Sequence, residues 1–250
     1  KWISSISHEK DIGHALTELR RDVRTGLDAP ADLLMLFVTP HFESDYGRIP
    51  DAIAGALAPA LFLGCTGTGI IGAAREVENR PAISVMAASL PGVDITPLYL
   101  REEDLPTSDA GPDHWHKALG VAPDPTPHFL LLVDPTGDVP FDPRPLLMGL
   151  DFAYPQSAKI GGLASVLREN CLFMGDRQFS GGCAGIALQG NIDVDTVVAQ
   201  GCRPVGQAMT ITECDGCQLT GLDDRGAVEV LVELYHSLLE QDQELLQRSL

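Results

Sequence analysis

The sequence predicts an α/β (α+β) fold made of two similar halves, each a mixed sheet with flanking helices. Short apolar runs of strand length alternate with segments whose apolar residues recur at helical spacing. The order strand, helix, strand, glycine loop, hairpin occurs twice. Landmarks of the first half return 97 to 99 residues later, in the pairs Leu33 and Leu130, Gly64 and Gly161, and Val93 and Ile192.

The first half begins with a helix that Ser7 is expected to cap and Gly26 to end. Its apolar stripe consists of Ile12, Ala15, Leu16, Leu19 and Val23. A buried strand is predicted by "ADLLMLFVTP", a short helix by "RIPDAIAGALAP" and a second strand by "ALFLG". The segments "AISVMAASL" and "VDITPLYL" predict a hairpin that turns at Pro91 and Gly92.

An acidic, proline-rich segment, residues 101–127, predicts a long surface connection with one short helix near Trp115. The pattern then restarts with a strand in "HFLLLVDP" and a helix in "PRPLLMGLDFAYP". A strand with a glycine loop follows in "AKIGGLAS", and a hairpin in "AGIALQGNIDVDTVV". The two halves are therefore expected at about 1–105 and 125–217.

The C-terminal residues differ in character. Asp215 and Gly216, between "MTITE" and "QLTGL", predict a tight hairpin turn. A helix is predicted from Asp224 to Glu240, with a buried face of Val228, Leu231, Val232, Tyr235, Leu238 and Leu239. A second apolar patch begins at Leu245, so we expect a chain cut inside a larger protein.

Charge and cysteine content argue against several function classes. A net charge of −18 repels phosphate backbones, so nucleic acid is not expected as a partner. No apolar run approaches the ~20 residues that span a bilayer, so no transmembrane segment is expected. Six cysteines in 250 residues are too few for a disulfide scaffold, and Cys214 and Cys217 form a lone C-x-x-C without the second pair that zinc requires, so no metal site is expected.

The stretch "GCTGTGIIG" has the G-x-G-x-x-G spacing of a dinucleotide-binding loop at Gly67, Gly69 and Gly72. That fingerprint also requires a helix aimed at the pyrophosphate and an acidic residue about 20 positions further on. Here Pro81 cuts the following segment short, and the next strand ends in Ser89 rather than in an acid. No nucleotide or other cofactor is therefore expected.

The two glycine loops are the candidate ligand site. Amides in such turns can hold a small anion or carboxylate, but the glycines can equally serve close packing between the two halves. Arg203 offers a guanidinium for a bidentate contact with a carboxylate, or else forms a structural salt bridge. The candidate ligand-binding residues are Gly64, Cys65, Thr66, Gly67, Thr68, Gly161, Gly162, Ser165 and Arg203.

The chain resembles the FIST domain family of bacterial signal-transduction proteins and a eukaryotic F-box protein. The resemblance is carried by "LFLGCTGTGIIG" with "EVE" after it, "GLDFAYP", "KIGGLAS", "AGIALQGNIDVDTVVAQGCRPVG" and "MTITECDG". It covers residues 1–217 as the family's N-terminal domain, with residues 218–250 as the start of its C-terminal one. The segments "HFESDYGRIPDAI" and "GLDFAYP" are most similar to versions from cyanobacteria and plants, which implies a photosynthetic organism.

The resemblance implies a non-catalytic, intracellular sensory domain that binds a small ligand, such as an amino acid or a related carboxylate. It also implies a protein partner. The implied location is the cytoplasm, or a plastid in a eukaryotic phototroph.

Two alternative functions stay open. An adaptor or assembly subunit is favoured by the acidic surface, the proline-rich connection and the apolar C-terminal helix. A thiol-dependent enzyme would use Cys65 as its nucleophile and His41 as its base. No catalytic residue is assigned, because a small buried cysteine beneath a loop is the commoner arrangement.

Overall fold

Two mixed β-sheets with helices on their flanks make up residues 1–196, so the predicted α/β class is confirmed. The computed structural model describes residues 1–107, 109–137, 141–166, 169–198, 204–215 and 218–249. The chain divides into two compact units, Lys1–Thr196 and Val197–Leu250. Among the described residues, no helix has the length and apolar character needed to cross a membrane.

The first unit contains twelve strands and four α-helices in its described residues. In chain order they are β1 (Trp2–Ser7), α1 (Ile12–Gly26), β2 (Leu33–Val38), α2 (Ile49–Ala56), β3 (Leu61–Thr66), β4 (Gly69–Gly72), β5 (Arg75–Glu78), β6 (Ile83–Ala88), β7 (Val93–Leu100), α3 (Pro112–Leu119), β8 (His128–Asp134), α4 (Pro143–Ala153), β9 (Lys159–Leu163), β10 (Leu172–Met174), β11 (Arg177–Phe179) and β12 (Gly182–Gly190).

The two large sheets repeat one topology. The first has the order β1-β6-β2-β3-β10-β11, and the second has the order β7-β12-β8-β9. In the first, β2 runs parallel to β3 and antiparallel to β6. In the second, β8 likewise runs parallel to β9 and antiparallel to β12. The first four strands of each sheet therefore occupy equivalent positions.

The layers are held by three apolar clusters. One lies between the sheets and includes Leu33 and Leu63 from the first sheet and Leu132 and Ile186 from the second. A second packs α1 and α2 on the outer face of the first sheet. The third packs α3 and α4 on the outer face of the second sheet. The inter-sheet layer is thus covered on both sides, as a domain of stacked layers requires.

Helix α1 carries the predicted apolar stripe, and all five of its residues are buried. Its N-cap is Asp11, whose carboxylate accepts a hydrogen bond from the His14 backbone N–H at 3.0 Å. The expectation that Ser7 caps the helix is wrong, because Ser7 ends strand β1 and pairs with Ile83. Strand β1 was not predicted from the sequence.

Both predicted hairpins after the glycine loops are wrong. Strand β6 belongs to the first sheet and β7 to the second, so the turn at Pro91 and Gly92 connects two sheets. After β12, the described residues up to Val198 contain no strand. The segment that follows the first loop, "IIGAAREVENRP", forms the two-stranded hairpin β4–β5 instead of a helix.

The short helix predicted near Trp115 is confirmed within residues 101–127, but this segment is not only a surface connection. It contains α3, whose Trp115 and Leu119 are buried in the cluster against the second sheet. A methyl group added at Gly149 of α4 would lie 1.9 Å from Cζ2 of Trp115, so the indole sits directly on that glycine. With β7 and α3 both in the second sheet's layers, the structural repeat begins near residue 93.

The second unit is a small sheet with two helices. Strands β13 (Ile211–Asp215), β14 (Gln218–Leu222) and β15 (Arg225–Gly226) are antiparallel, which confirms the predicted hairpin, although its turn residues 216–217 lie outside the described residues. Helices α5 (Ala227–Ser237) and α6 (Glu240–Ser249) follow. The predicted buried face is wrong, because Val228 is 75% exposed and Leu239 is 76% exposed. Instead, Ala227 and Val230 pack with Leu222 of β14.

Candidate functional site

The two glycine loops line one cavity of about 440 Å³ between the sheets, which we call the cleft. The first loop contributes Cys65, Thr66 and Gly67, and the second contributes Gly161, Gly162 and Ser165. Its walls are apolar and come from both halves: Met35, Phe37, Ile70, Ile71, Met86, Leu130, Leu132, Ile160 and Leu163. The structure thus brings six of the nine predicted site residues to one cavity, while Gly64 and Thr68 lie outside its lining.

The loops contact each other at residues 97 positions apart. The Thr68 backbone N–H donates to Ser165 Oγ at 3.3 Å, and the Thr68 hydroxyl donates to the Ser165 carbonyl. Because Thr68 follows β3 and Ser165 follows β9, the bonds join equivalent strand ends of the two sheets. This contact fixes the spacing of the loops at the cleft.

Two glycines of the repeat serve close packing. Gly64 pairs in register with Leu36, and a methyl group added to it would lie 2.5 Å from the Leu36 carbonyl oxygen. Gly161 pairs with Leu131, whose carbonyl oxygen would lie 1.8 Å from the added methyl. Both glycines therefore allow close packing against the neighbouring strand of their own sheet, which differs from the predicted packing between the two halves.

The amides of the first loop are already occupied. The Thr66 N–H donates to the Cys171 carbonyl and the Gly67 N–H to the Val38 carbonyl, both at 3.0 Å. The Thr68 N–H donates to Ser165. The anion that the sequence predicts therefore finds no free amide at these three positions of the loop.

The second loop differs, because β9 lies at the edge of its sheet. The Phe129 N–H donates to the Ala158 carbonyl at 2.8 Å, and the Ala164 N–H donates to the Val133 carbonyl at 2.8 Å. In a parallel ladder alternate residues direct both backbone groups to the same neighbour. The backbone N–H and carbonyl groups of the even-numbered residues of β9 therefore point toward β8. Those of Gly161 point toward the open edge.

A buried polar network, which sequence reasoning missed, supports the loops. Asn170 accepts the Val166 N–H at 2.7 Å and donates to the Thr136 hydroxyl at 2.8 Å. Asp134 is fully buried and accepts the Gly181 N–H at 2.6 Å and both the N–H and the hydroxyl of Thr136. These bonds satisfy the buried carboxylate, as its burial requires.

The repeat held a signal for this network. Asp134 ends β8 and Thr39 directly follows the equivalent strand β2, and each precedes a proline. The Thr39 hydroxyl accepts the Ala82 N–H at 3.0 Å, just before β6, as Asp134 accepts the Gly181 N–H just before β12. Both side chains thus tie the end of a central strand to the start of its antiparallel neighbour.

The cysteine at the cleft is not activated. Burial, with a smaller contribution from Cys171, raises the pKa of the Cys65 thiol to about 12. The nucleophilic form of cysteine is the thiolate, so at neutral pH this side chain is a neutral thiol. His41, the base considered for it, is exposed and lies 3.3 Å from the Thr39 hydroxyl oxygen.

The remaining site prediction, Arg203, lies outside the described residues. Within the ranges that the structure describes, no three histidine, cysteine, aspartate or glutamate side chains form a group that could hold a metal ion.

Comparison with known proteins places the chain in a family. Residues 32–225 match the model of the FIST N domain. An uncharacterized protein of Mycobacterium tuberculosis strain H37Rv is 29% identical over 252 residues, which cover 98% of this chain and 62% of the relative. An uncharacterized protein of Mycobacterium bovis is 27% identical over 248 residues, covering 96% of this chain and 60% of the relative.

The chain therefore spans less than two thirds of the length of these curated relatives. Both are mycobacterial, and the likeness to cyanobacterial and plant versions stays a prediction, as do the bounds 1–217 and 218–250 for the two predicted domains. The matched family is associated with sensing in signal transduction. Because the family model covers most of the sequence, this chain belongs to the FIST N domain family.

Proposed function

We propose that this chain is a sensory domain that binds a small ligand in the cleft. The observation that carries the proposal is that both glycine loops and both sheets line this one cavity of about 440 Å³. A ligand there would contact both halves of the repeat at once. Cavities of this size, with mostly apolar walls and few polar groups, are typical small-molecule sites.

The lining favours a ligand with an apolar body and one polar end. Met35, Phe37 and Leu132 would surround the apolar part. The Ser165 hydroxyl and the Gly161 N–H are the donors available to a carboxylate at the rim, because the first loop's amides are occupied. Apolar amino acids and the corresponding carboxylic acids are therefore the ligands that we propose.

Calorimetric titration of the protein with leucine, phenylalanine, 4-methylpentanoate and 3-phenylpropanoate tests this proposal. Nothing lies within 4 Å of a methyl group added at Gly162, so a Gly162→Leu side chain would extend into the cleft. We expect that variant to lose at least tenfold in affinity, which corresponds to about 1.4 kcal/mol. Gly55→Leu is the matched control, since Gly55 is equally unobstructed but lies on α2. Absence of binding by every compound, or equal binding by both variants, would contradict the proposal.

An adaptor is the second candidate, and the exposed apolar side chains of α5 favour it. Val228 is 75% exposed and Val232 is 49% exposed, on a helix whose other face packs on β14. An adaptor that used this face would be insensitive to Gly162→Leu. It would lose a stoichiometric partner on co-purification when Val228 and Val232 are changed to glutamate, and retention of the partner would exclude this surface.

A further inference from the structure

In the first sheet β10 pairs with the outer side of β3, whereas the outer side of the equivalent strand β9 is open in the second sheet. Strand β10 pairs antiparallel with β3, and Phe173 lies opposite Gly64. The Thr66 N–H donates to the Cys171 carbonyl at 3.0 Å and the Gly175 N–H to the Phe62 carbonyl at 2.8 Å, so the even-numbered residues of β3 face β10. Gly161 is the equivalent of Gly64, and its backbone groups have no partner strand among the described residues.

Linker length explains the difference. Eight residues lead from β9 to β10, which allows the β10–β11 hairpin to cross to the first sheet. Only Gly67 and Thr68 lead from β3 to β4. The β4–β5 hairpin therefore stays a separate two-stranded sheet and does not add to the second sheet. Within the part of the chain that the structure describes, the second sheet therefore has no counterpart of the strand that the first sheet receives.

Among the described residues, neither a proline nor an unpaired charge protects the open edge against strand addition. Natural sheets block their edges with proline, charges or bulges. Strand β7, at the other edge of this sheet, has Pro97 in its middle. Strand β9, "KIGGL", has no proline, and its one charged residue, Lys159, forms an ion pair with Asp151 at 2.9 Å.

Apolar cavities flank β9 on both faces. The cleft lies on one side, and a second cavity of about 270 Å³ lies on the other, between β9 and α4. We call the second one the helix-side cavity; its walls include Leu131, Val133, Pro143, Leu146 and Leu147. Successive side chains of an added strand point to opposite faces, so they would enter the two cavities alternately.

Strand β10 has this alternation in the first sheet. Leu172 is buried in the inter-sheet cluster, and Phe173 is buried in the cluster on the helix side. The same placement beside β9 would direct a residue opposite Gly161 into the helix-side cavity and its neighbours into the cleft. The absence of side chains on Gly161 and Gly162 leaves room on both faces.

We propose that the open edge of β9 binds an extended peptide segment of a partner protein, which adds to the second sheet as an antiparallel strand. Backbone bonds to Gly161 supply affinity, and alternating apolar side chains supply specificity, as in other strand-addition complexes. The net charge of −18, with Glu76 and Glu78 opposite the cleft residues Ile71 and Gly69, favours basic residues flanking the apolar core. The open edge and the helix-side cavity carry this proposal, and because the peptide would also use Gly161 and the cleft, it would compete with a small ligand bound there.

The test uses a fluorescein-labelled peptide, Lys-Lys-Ser-Leu-Phe-Met-Lys-Lys, whose apolar core repeats that of β10, and anisotropy titration with the unmodified protein. N-methylation of the phenylalanine amide removes the N–H that would face Gly161, and we expect at least a tenfold loss of affinity. N-methylation of the leucine amide is the matched control, because that N–H points away from β9, and we expect less than a threefold change. Absence of binding, or equal losses for both peptides, would overturn the proposal.

A protein variant separates this proposal from the small-ligand proposal. Leu147→Glu places a charge in the helix-side cavity, and we expect it to weaken the peptide at least tenfold while leaving titrations with the small carboxylates unchanged. Met148→Glu is its control, because Met148 is 73% exposed on the same helix and lines neither cavity. If analytical ultracentrifugation shows self-association that Leu147→Glu abolishes, the occupant is a second copy of the chain and the proposal is wrong.

Discussion

Strands β3 and β9 occupy equivalent positions in the two sheets and have the same local geometry, but their surroundings differ. Each runs parallel to its central strand, and each has a glycine at the same register position. Strand β3 is interior because β10 pairs with its far side, and Gly64 is buried. Strand β9 is an edge, and Gly161 is exposed.

The two halves differ more in their connections than in their strands. The strand orders and pairing directions agree across the repeat. What differs is the length of chain after the third strand, two residues in one half and eight in the other. A difference of a few loop residues thus accompanies an interior position for one strand and an edge position for its counterpart.

We expect the largest loss of stability when the side chain that anchors β10 is removed. Phe173 is fully buried and stacks against Phe62, with ring centroids 6.2 Å apart. We expect Phe173→Ala to lower the free energy of unfolding by about 4 kcal/mol, the usual cost of deleting a buried aromatic ring. Urea unfolding followed by circular dichroism measures the change.

The matched substitution in the second sheet is Leu163→Ala. Leu163 is 58% exposed at the open edge of β9, so its removal should cost less than about 1 kcal/mol. A loss comparable to that of Phe173→Ala would mean that the β9 edge is packed against another part of the protein in solution.

The elements that could be predicted from the sequence are those with a strong local pattern. The run Leu33–Val38 is strand β2 with the bounds of its apolar run, and the predicted stripe of α1 is buried residue for residue. The two glycine loops, which the sequence analysis joined into one candidate site on the strength of the repeat, line one cavity. Local periodicity and an internal repeat were sufficient for these features.

The rest depends on long-range pairing that adjacent residues do not specify. The turn at Pro91 and Gly92 has hairpin chemistry, yet β6 and β7 pair with strands of different sheets. Strand β10 has three residues and pairs with a strand more than 100 positions earlier, so no local pattern marks it. The prediction that the apolar face of α5 is buried was wrong, because helical periodicity identifies an apolar stripe but not whether the chain covers it.

Alanine substitutions at the equivalent glycines, Gly64 and Gly161, should have smaller effects on stability. Alanine at Gly64 would place its methyl 2.5 Å from the Leu36 carbonyl oxygen, and strands on both sides prevent β3 from moving away. We expect Gly64→Ala to cost about 3 kcal/mol, at the upper end for overpacking. Gly161→Ala makes the closer contact, 1.8 Å from the Leu131 carbonyl oxygen, but the free edge of β9 allows the strand to shift outward. We therefore expect a smaller loss, about 1 kcal/mol.

Both losses are free energies of unfolding from urea titration, with Gly162→Ala as the control. Nothing lies within 4 Å of a methyl group at Gly162, so that substitution should change stability by less than about 0.5 kcal/mol. The order of the two costs is the informative result, because the contact distances alone predict the opposite order. If Gly161→Ala proves the more destabilising, β9 does not shift outward to relieve the contact, and the expectation that its edge is free to move is wrong.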